Sequence, residues 1–137
     1  MEDLRDPTTF TYCFDPAPAQ VWLARTLLAD WLGRQQLRAT EIDDTLVICS
    51  ELCTNALEHV ADGDAAIQLR AWHQPTELVL EVESEGAAGG GWLDGPDHDP
   101  RVGGELRLAA ALGDGLEVRQ DGIALTVRAT KRTALVS

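Results

Sequence analysis

The chain has 137 residues, with 11 Lys and Arg against 23 Asp and Glu, for a formal net charge of −12. That length fits one domain, and 45% hydrophobic with 25% charged residues is the balance of a chain that buries a core, which excludes wholesale disorder. So acidic a chain repels phosphate backbones and anionic lipid, and no basic patch is visible to offset this, so neither nucleic acid nor a membrane surface is expected as a partner. No stretch approaches the ~18 apolar residues of a membrane span, and the start, Met1-Glu2-Asp3, is acidic where a secretory leader is basic, which predicts a soluble, cytoplasmic protein. Cys13, Cys49 and Cys53 form neither an even set nor a C-x-x-C pair, so they are expected as reduced thiols packed like small apolar residues.

In chain order, Thr9 to Phe14 alternates aromatic with polar or small side chains and predicts a short edge strand ended by Asp15-Pro16. From about Ala17, the residues Val21, Leu23, Leu27, Leu28, Trp31 and Leu32 predict a first helix that stops at Gly33, with Trp22 and Trp31 in or near the core. Thr40, followed by Glu41, Asp43 and Asp44, reads as the cap of a second helix. Its apolar stripe, Ile42, Leu46, Cys49, Cys53, Ala56 and Val60, carries it to about Val60, before Asp62-Gly63. Two strands follow, Ala65 to His73 and Glu77 to Ser84, as a hairpin with one buried face.

Glu85 to Pro100 is Gly- and Pro-rich and long for a compact domain, which makes it a lid candidate, though an idle surface loop has the same composition. Within it, Trp92 either plugs a pocket or anchors a partner, and Asp94, Asp97, His98 and Asp99 lack the spacing of an EF-hand. Leu106 to Leu112 predicts a short helix, and the final hairpin, Gly115 to Arg119 and Ile123 to Thr130, turns at Gln120-Asp121-Gly122. This order predicts an α+β fold, with helices on one face of a mostly antiparallel sheet.

In the second helix, Glu51, Asn55 and His59 recur at i, i+4 and i+8, placing a carboxylate, an amide and an imidazole in one polar row opposite the apolar stripe. A carboxylate can act as a base, and an amide oxygen can ligate a hard cation such as Mg²⁺. A solvated helix face has the same pattern, but Asn is a poor residue for a helix interior.

The string ELCTNALEH, Glu51 to His59, resembles the N-box of the GHKL ATPase superfamily. More closely, it is similar to the small anti-sigma regulatory serine kinases, whose usual motif is E-L-x-x-N-A-x-x-H, and the element order matches from about Phe14 to Ala129. The resemblance implies a Bergerat-type two-layer sandwich. By position it implies Glu51 as the base that activates an acceptor hydroxyl, Asn55 as the Mg²⁺ ligand and His59 as a flank of the phosphate site. It further implies ATP and Mg²⁺ as cofactors, a sigma factor or an anti-anti-sigma protein as partner, and a homodimer.

Two other family boxes depart from the pattern. Ser84 stands where the family has the Asp of Asp-x-Gly, which binds the adenine amino group, with Gly86 completing that box. A serine lacks the strength of a charge-assisted acceptor. Gly103-Gly104-Glu105-Leu106 places Glu105 where the family has the second glycine of Gly-x-Gly-Leu, at a helix start that would receive phosphate. Between Arg70 and Arg101 there is no Lys or Arg, while Glu77, Glu81, Glu83, Glu85, Asp94, Asp97 and Asp99 are acidic. Two like charges about 4 Å apart repel by roughly 1 kcal/mol in water and about 4 kcal/mol at a surface-like dielectric, so these departures work against a triphosphate. The expected function is therefore partner switching in bacterial transcription control with ATP binding and kinase activity impaired or lost. The alternative is an active Mg-ATP-dependent serine kinase acting on an anti-anti-sigma factor.

Overall fold

The computed structural model describes residues 9–60, 66–85 and 106–133. Their elements are β1 (Thr9–Phe14), α1 (Pro18–Leu32), α2 (Ala39–His59), β2 (Ile67–Gln74), β3 (Glu77–Glu85), α3 (Arg107–Leu112), β4 (Gly115–Asp121) and β5 (Ala124–Arg132). The strands form one antiparallel sheet in the order β1-β2-β3-β5-β4, so β1 is an edge strand as expected. With α2 packed between α1, α3 and the sheet, the architecture is the predicted α+β two-layer sandwich.

The core lies between the helices and one sheet face. On α1, Ala24, Leu28, Trp31 and Leu32 recur at helical spacing and are buried, and Trp31 meets Phe10 of β1 with ring centroids 5.9 Å apart. Pro18 starts this helix, where its missing N–H costs nothing. Trp22 departs from expectation: it lies off the buried stripe and is 68% exposed. Gly33 closes α1 in right-handed geometry, and the left-handed residue of the α1–α2 turn is Gln36, at φ 56°.

The second helix begins at Ala39, so Thr40 lies inside it and does not cap it. Glu41 reaches back instead, and its carboxylate accepts the Arg38 N–H at 2.8 Å, half of a capping box. Cys49 and Cys53 are fully buried on α2 as expected, whereas Cys13 is exposed on β1. The Cys53 thiol is held well above its ordinary range, first by a hydrogen bond with Cys49 and then by burial, so it is an inert core group.

Leu78, Leu80 and Val82 of β3 face the helices, in register with Leu69 and Ala71 of β2 and Val127 and Ala129 of β5. The expectation of one buried face fails on the other side, where Val79 and Glu81 are 5% and 3% exposed. β3 is the middle strand, and longer neighbours flank these two: Trp72 beside Val79, and Arg70 and Arg128 on either side of Glu81. Glu81 accepts a hydrogen bond from Arg70 on Oε1 and two from Arg128 on Oε2, from Nε at 2.9 Å and Nη2 at 2.7 Å, while Arg128 lies 5.4 Å from the Trp72 ring centroid.

The last hairpin turns one residue later than predicted. Asp121 pairs with Ala124, and Gly122, at φ 64°, takes the first place of the two-residue loop, where a left-handed residue matches the strand twist. After α3, Gly113 allows the chain to close onto β5, since a Cβ there would lie 2.9 Å from the Ala109 carbonyl oxygen. Six residues are too few for an autonomous helix, so α3 depends on its surroundings. At its C-terminus the Lys131 ammonium donates to the Leu112 carbonyl at 2.9 Å and to Asp44 of α2 at 3.0 Å.

Candidate functional site

The polar row of α2 does not face solvent as its periodicity predicts. Asn55 and His59 are 2% and 5% exposed, and only Glu51 is half-exposed, because α3 and the sheet close over this side of the helix. The row also divides between two environments. Glu51 and Asn55 line a cleft of about 420 Å³, floored by α2 with Leu108 of α3 and Arg25 of α1 on its walls. His59 turns instead toward β3, where its Nδ1 lies 3.0 Å from the Ser84 hydroxyl.

Glu51 is already engaged. Its carboxylate accepts the backbone N–H of Leu108 at 3.1 Å and of Ala109 at 2.5 Å, the second and third residues of α3. These are orphan donors at the positive end of a helix, so a carboxylate supplied from 57 residues away does the work of a cap. α3 is thus held by an acid at its N-terminus and by Lys131 at its C-terminus, both matched to the dipole.

Asn55 presents the opposite case. Both its Oδ1 and Nδ2 are buried without a hydrogen-bond partner among the described residues, in a side chain that lines the cleft. Leaving such an amide unsatisfied costs roughly 1–3 kcal/mol, so its retention on a helix interior points to a ligand. An amide oxygen there suits a hard cation, so this residue fits the Mg²⁺ of a bound nucleotide.

His59 and Ser84 bond to each other, and burial holds the His59 imidazole below its ordinary value of 6.5, in the neutral form. The Ser84 hydroxyl therefore already has a partner and is 2% exposed, though a hydroxyl retains a further lone pair. Gly86, Gly103, Gly104 and Glu105 lie outside the described residues, as do the lid, Trp92 and the run Asp94, Asp97, His98 and Asp99. Among the described residues no cluster of His, Cys, Asp and Glu is disposed to hold a metal, and no helix is long and apolar enough to cross a membrane.

Sequence reasoning missed Arg25 and Ser50. The Arg25 guanidinium donates to the Ser50 hydroxyl at 3.0 Å, which brings a cation from α1 to the cleft beside Glu51 and Glu58. The acidic stretch from Arg70 to Arg101 gave no hint of it, and the available signal was an Arg off the apolar stripe of helix one.

The comparison that decides the family is with its sequence profile, which matches residues 14–131, the span from the end of β1 almost to the end of β5. The chain belongs to the histidine kinase-like ATPase domain family. As such a domain it is similar to the crystal structure of the RsbU and RsbW domains of Rv1364c from Mycobacterium tuberculosis, with a TM-score of 0.69 at 19% sequence identity. That alignment covers 91% of this chain and 32% of the other, so this domain spans about a third of that protein's length. At this identity the likeness is one of fold. No curated protein matches the chain.

Proposed function

We propose that this histidine kinase-like ATPase domain is an anti-sigma-like regulator that acts by partner switching in bacterial transcription, with ATP binding and serine kinase activity impaired. Its partner is a sigma factor or a small anti-anti-sigma protein. The observation that carries the reading is the double hydrogen bond from α3 to Glu51: the carboxylate that would serve as base is engaged in holding a helix. Ser84, tied to His59, and the carboxylates Glu51 and Glu58 in the cleft, opposed among the described residues of its walls by one cation, Arg25, support the same reading.

Calorimetric titration with Mg-ATP and Mg-ADP is expected to give no one-site isotherm in the micromolar range, and immobilised protein is expected to retain a sigma factor or an anti-anti-sigma protein from its native cell extract. A clear micromolar isotherm would overturn the impairment, and recovery of neither partner by a folded bait would overturn the regulatory role.

One observation favours the alternative of an active kinase, namely the unpartnered Asn55 amide in the cleft. In that reading Asn55 would hold the Mg²⁺ of a nucleotide, which would supply the phosphoryl group, and Glu51, once released from α3, would accept the proton of an acceptor serine. Asn55→Ala then weakens nucleotide binding, and unchanged affinity would refute that placement of the metal.

A further inference from the structure

We propose that Lys131 is a positioning residue for Glu51: with Asp44 it forms a clasp that sets, through α3, how often the Glu51 carboxylate is free. The inference rests on the reading of Glu51 as engaged by α3 and names what controls that engagement.

Both ends of α3 are tied to one face of one helix. Asp44 and Glu51 are seven residues apart on α2, which is about two turns and about 10 Å along its axis. Glu51 takes the N–H groups of Leu108 and Ala109 directly. Asp44 acts through Lys131, whose ammonium donates to it at 3.0 Å and to the Leu112 carbonyl at 2.9 Å. The start of α3 therefore sits at the later residue of α2 and its end at the earlier one, so α3 runs antiparallel to α2 as a strap fastened at both ends.

Lys131 breaks the pattern of its own strand. On the face of β5 that packs against the helices, Leu125, Val127 and Ala129 are buried, and the next residue on that face is Lys131, an ammonium where the alternation calls for an apolar side chain. Lys131 and Asp44 are both partly buried, where a charge-assisted bond is worth more than at an open surface.

The two fastenings act as a unit because α3 is so short. Its Ala110 and Gly113 N–H groups bond to the Leu106 and Ala109 carbonyls, so a single turn links one end to the other and neither end persists alone. Little apolar burial holds the strap in place by itself: Leu106 and Ala109 are fully buried, whereas Leu108 is 50% exposed and Arg107, Ala110 and Ala111 face solvent. Opening the clasp at Lys131 thus lifts α3 and frees Glu51 without touching it, and a partner that pairs with Asp44 or Lys131 acts on the cleft from the far end of the strap.

Carboxyl labelling of the full chain with a carbodiimide and glycinamide, read by mass spectrometry, measures the release of Glu51, with the exposed Glu58 of the same helix as internal reference. Lys131→Met keeps the apolar stem without the charge and should raise labelling of Glu51 relative to Glu58 about tenfold, the worth of one charge-assisted hydrogen bond. Lys131→Arg, which still donates to both acceptors, should stay within about twofold of the parent chain. Asp44→Asn keeps the bond to Leu112 and should give about threefold. Amide hydrogen exchange separates a strap from an ordinary helix end: in Lys131→Met a lifted strap speeds exchange at Leu108, Ala109 and Gly113 by one common factor, whereas a frayed end speeds Gly113 alone. Unchanged labelling of Glu51 in folded Lys131→Met or Asp44→Asn, or faster exchange confined to Gly113, would overturn the proposal. No nucleotide enters these readouts, so a failure here is distinct from a failure of the impaired-ATP reading, which calorimetry tests.

Discussion

Replacing Glu51 by alanine separates a side chain that holds α3 from one held in reserve for catalysis. The substitution strips two N–H groups of their acceptor and removes a negative charge from the start of α3. Leu108 lies at the rim of the cleft, where water can partly replace the carboxylate, while Ala109 is buried, so the loss is that of a cap, about 0.5–2 kcal/mol, plus about 0.3–1 kcal/mol of dipole interaction. A total of about 1–3 kcal/mol lowers the melting temperature of a domain this size by about 3–10 °C. Glu51→Gln keeps one acceptor oxygen and should fall about halfway between.

The sign is as informative as the size. In a chain of net charge −12, removing an idle carboxylate relieves repulsion and leaves stability unchanged or higher. Thermal melts followed by circular dichroism measure the shift, and amide hydrogen exchange locates it, since protection at Leu108 and Ala109 should fall before that of the sheet. Unchanged melting with unchanged exchange at those two amides would refute the capping role.

Asn55→Leu removes a buried amide that lacks partners and should raise stability by about 1 kcal/mol, seen as a higher melting temperature, while abolishing any protection conferred by Mg-ADP; a destabilised variant would mean the amide has a structural partner. His59, with its folded value below 6.5, binds its proton more readily in the unfolded chain. Its contribution is therefore complete above about pH 6.5 and is lost as pH falls below it, so urea titrations at about pH 7.5 and about pH 5.5 should show a drop that His59→Gln reduces, and equal drops would refute it. Burial raises the Glu81 carboxyl, but hydrogen bonds from Arg128 and Arg70 outweigh that and hold it below 4.5, so its contribution is present above that value and is lost as pH falls further. Glu81→Gln should cost about 1–2 kcal/mol in urea denaturation at neutral pH, since both arginines can rehydrate, and should flatten the loss below about pH 4.5. No cost at neutral pH would show that the arginines gain nothing from it.

The elements were legible wherever one periodicity dominated: the alternating aromatics of β1, the stripe of α2 through Cys49, Cys53 and Ala56, and the two hairpins. What escaped was set by partners distant in sequence. Glu81 alternates with apolar neighbours as a solvated residue does, and only the pairing of β2 and β5 beside it reveals that two arginines bury it. Glu51 is on the helix face that spacing assigned, but its tie to Leu108 and Ala109 depends on where the chain returns after residue 105. Asn55 and His59 have the spacing of an exposed row, and their burial follows from α2 being enclosed on three sides, which a one-dimensional pattern does not record. Thr40 had the right chemistry for a cap, but Glu41 reached the Arg38 amide first.

Lys131 is the sole lysine of the chain, and its amine joins β5 to Asp44 of α2 and to the last carbonyl of α3 with only 19% of the side chain exposed. Nature has thereby placed a single acylation target at the junction of three elements. Apart from the α-amine, an amine-selective reagent has one site to modify, and the modification rate, followed by mass spectrometry, reports how often that junction opens. A nucleotide or protein that rearranges α3 would register as a change in labelling kinetics at one residue, without any engineered probe.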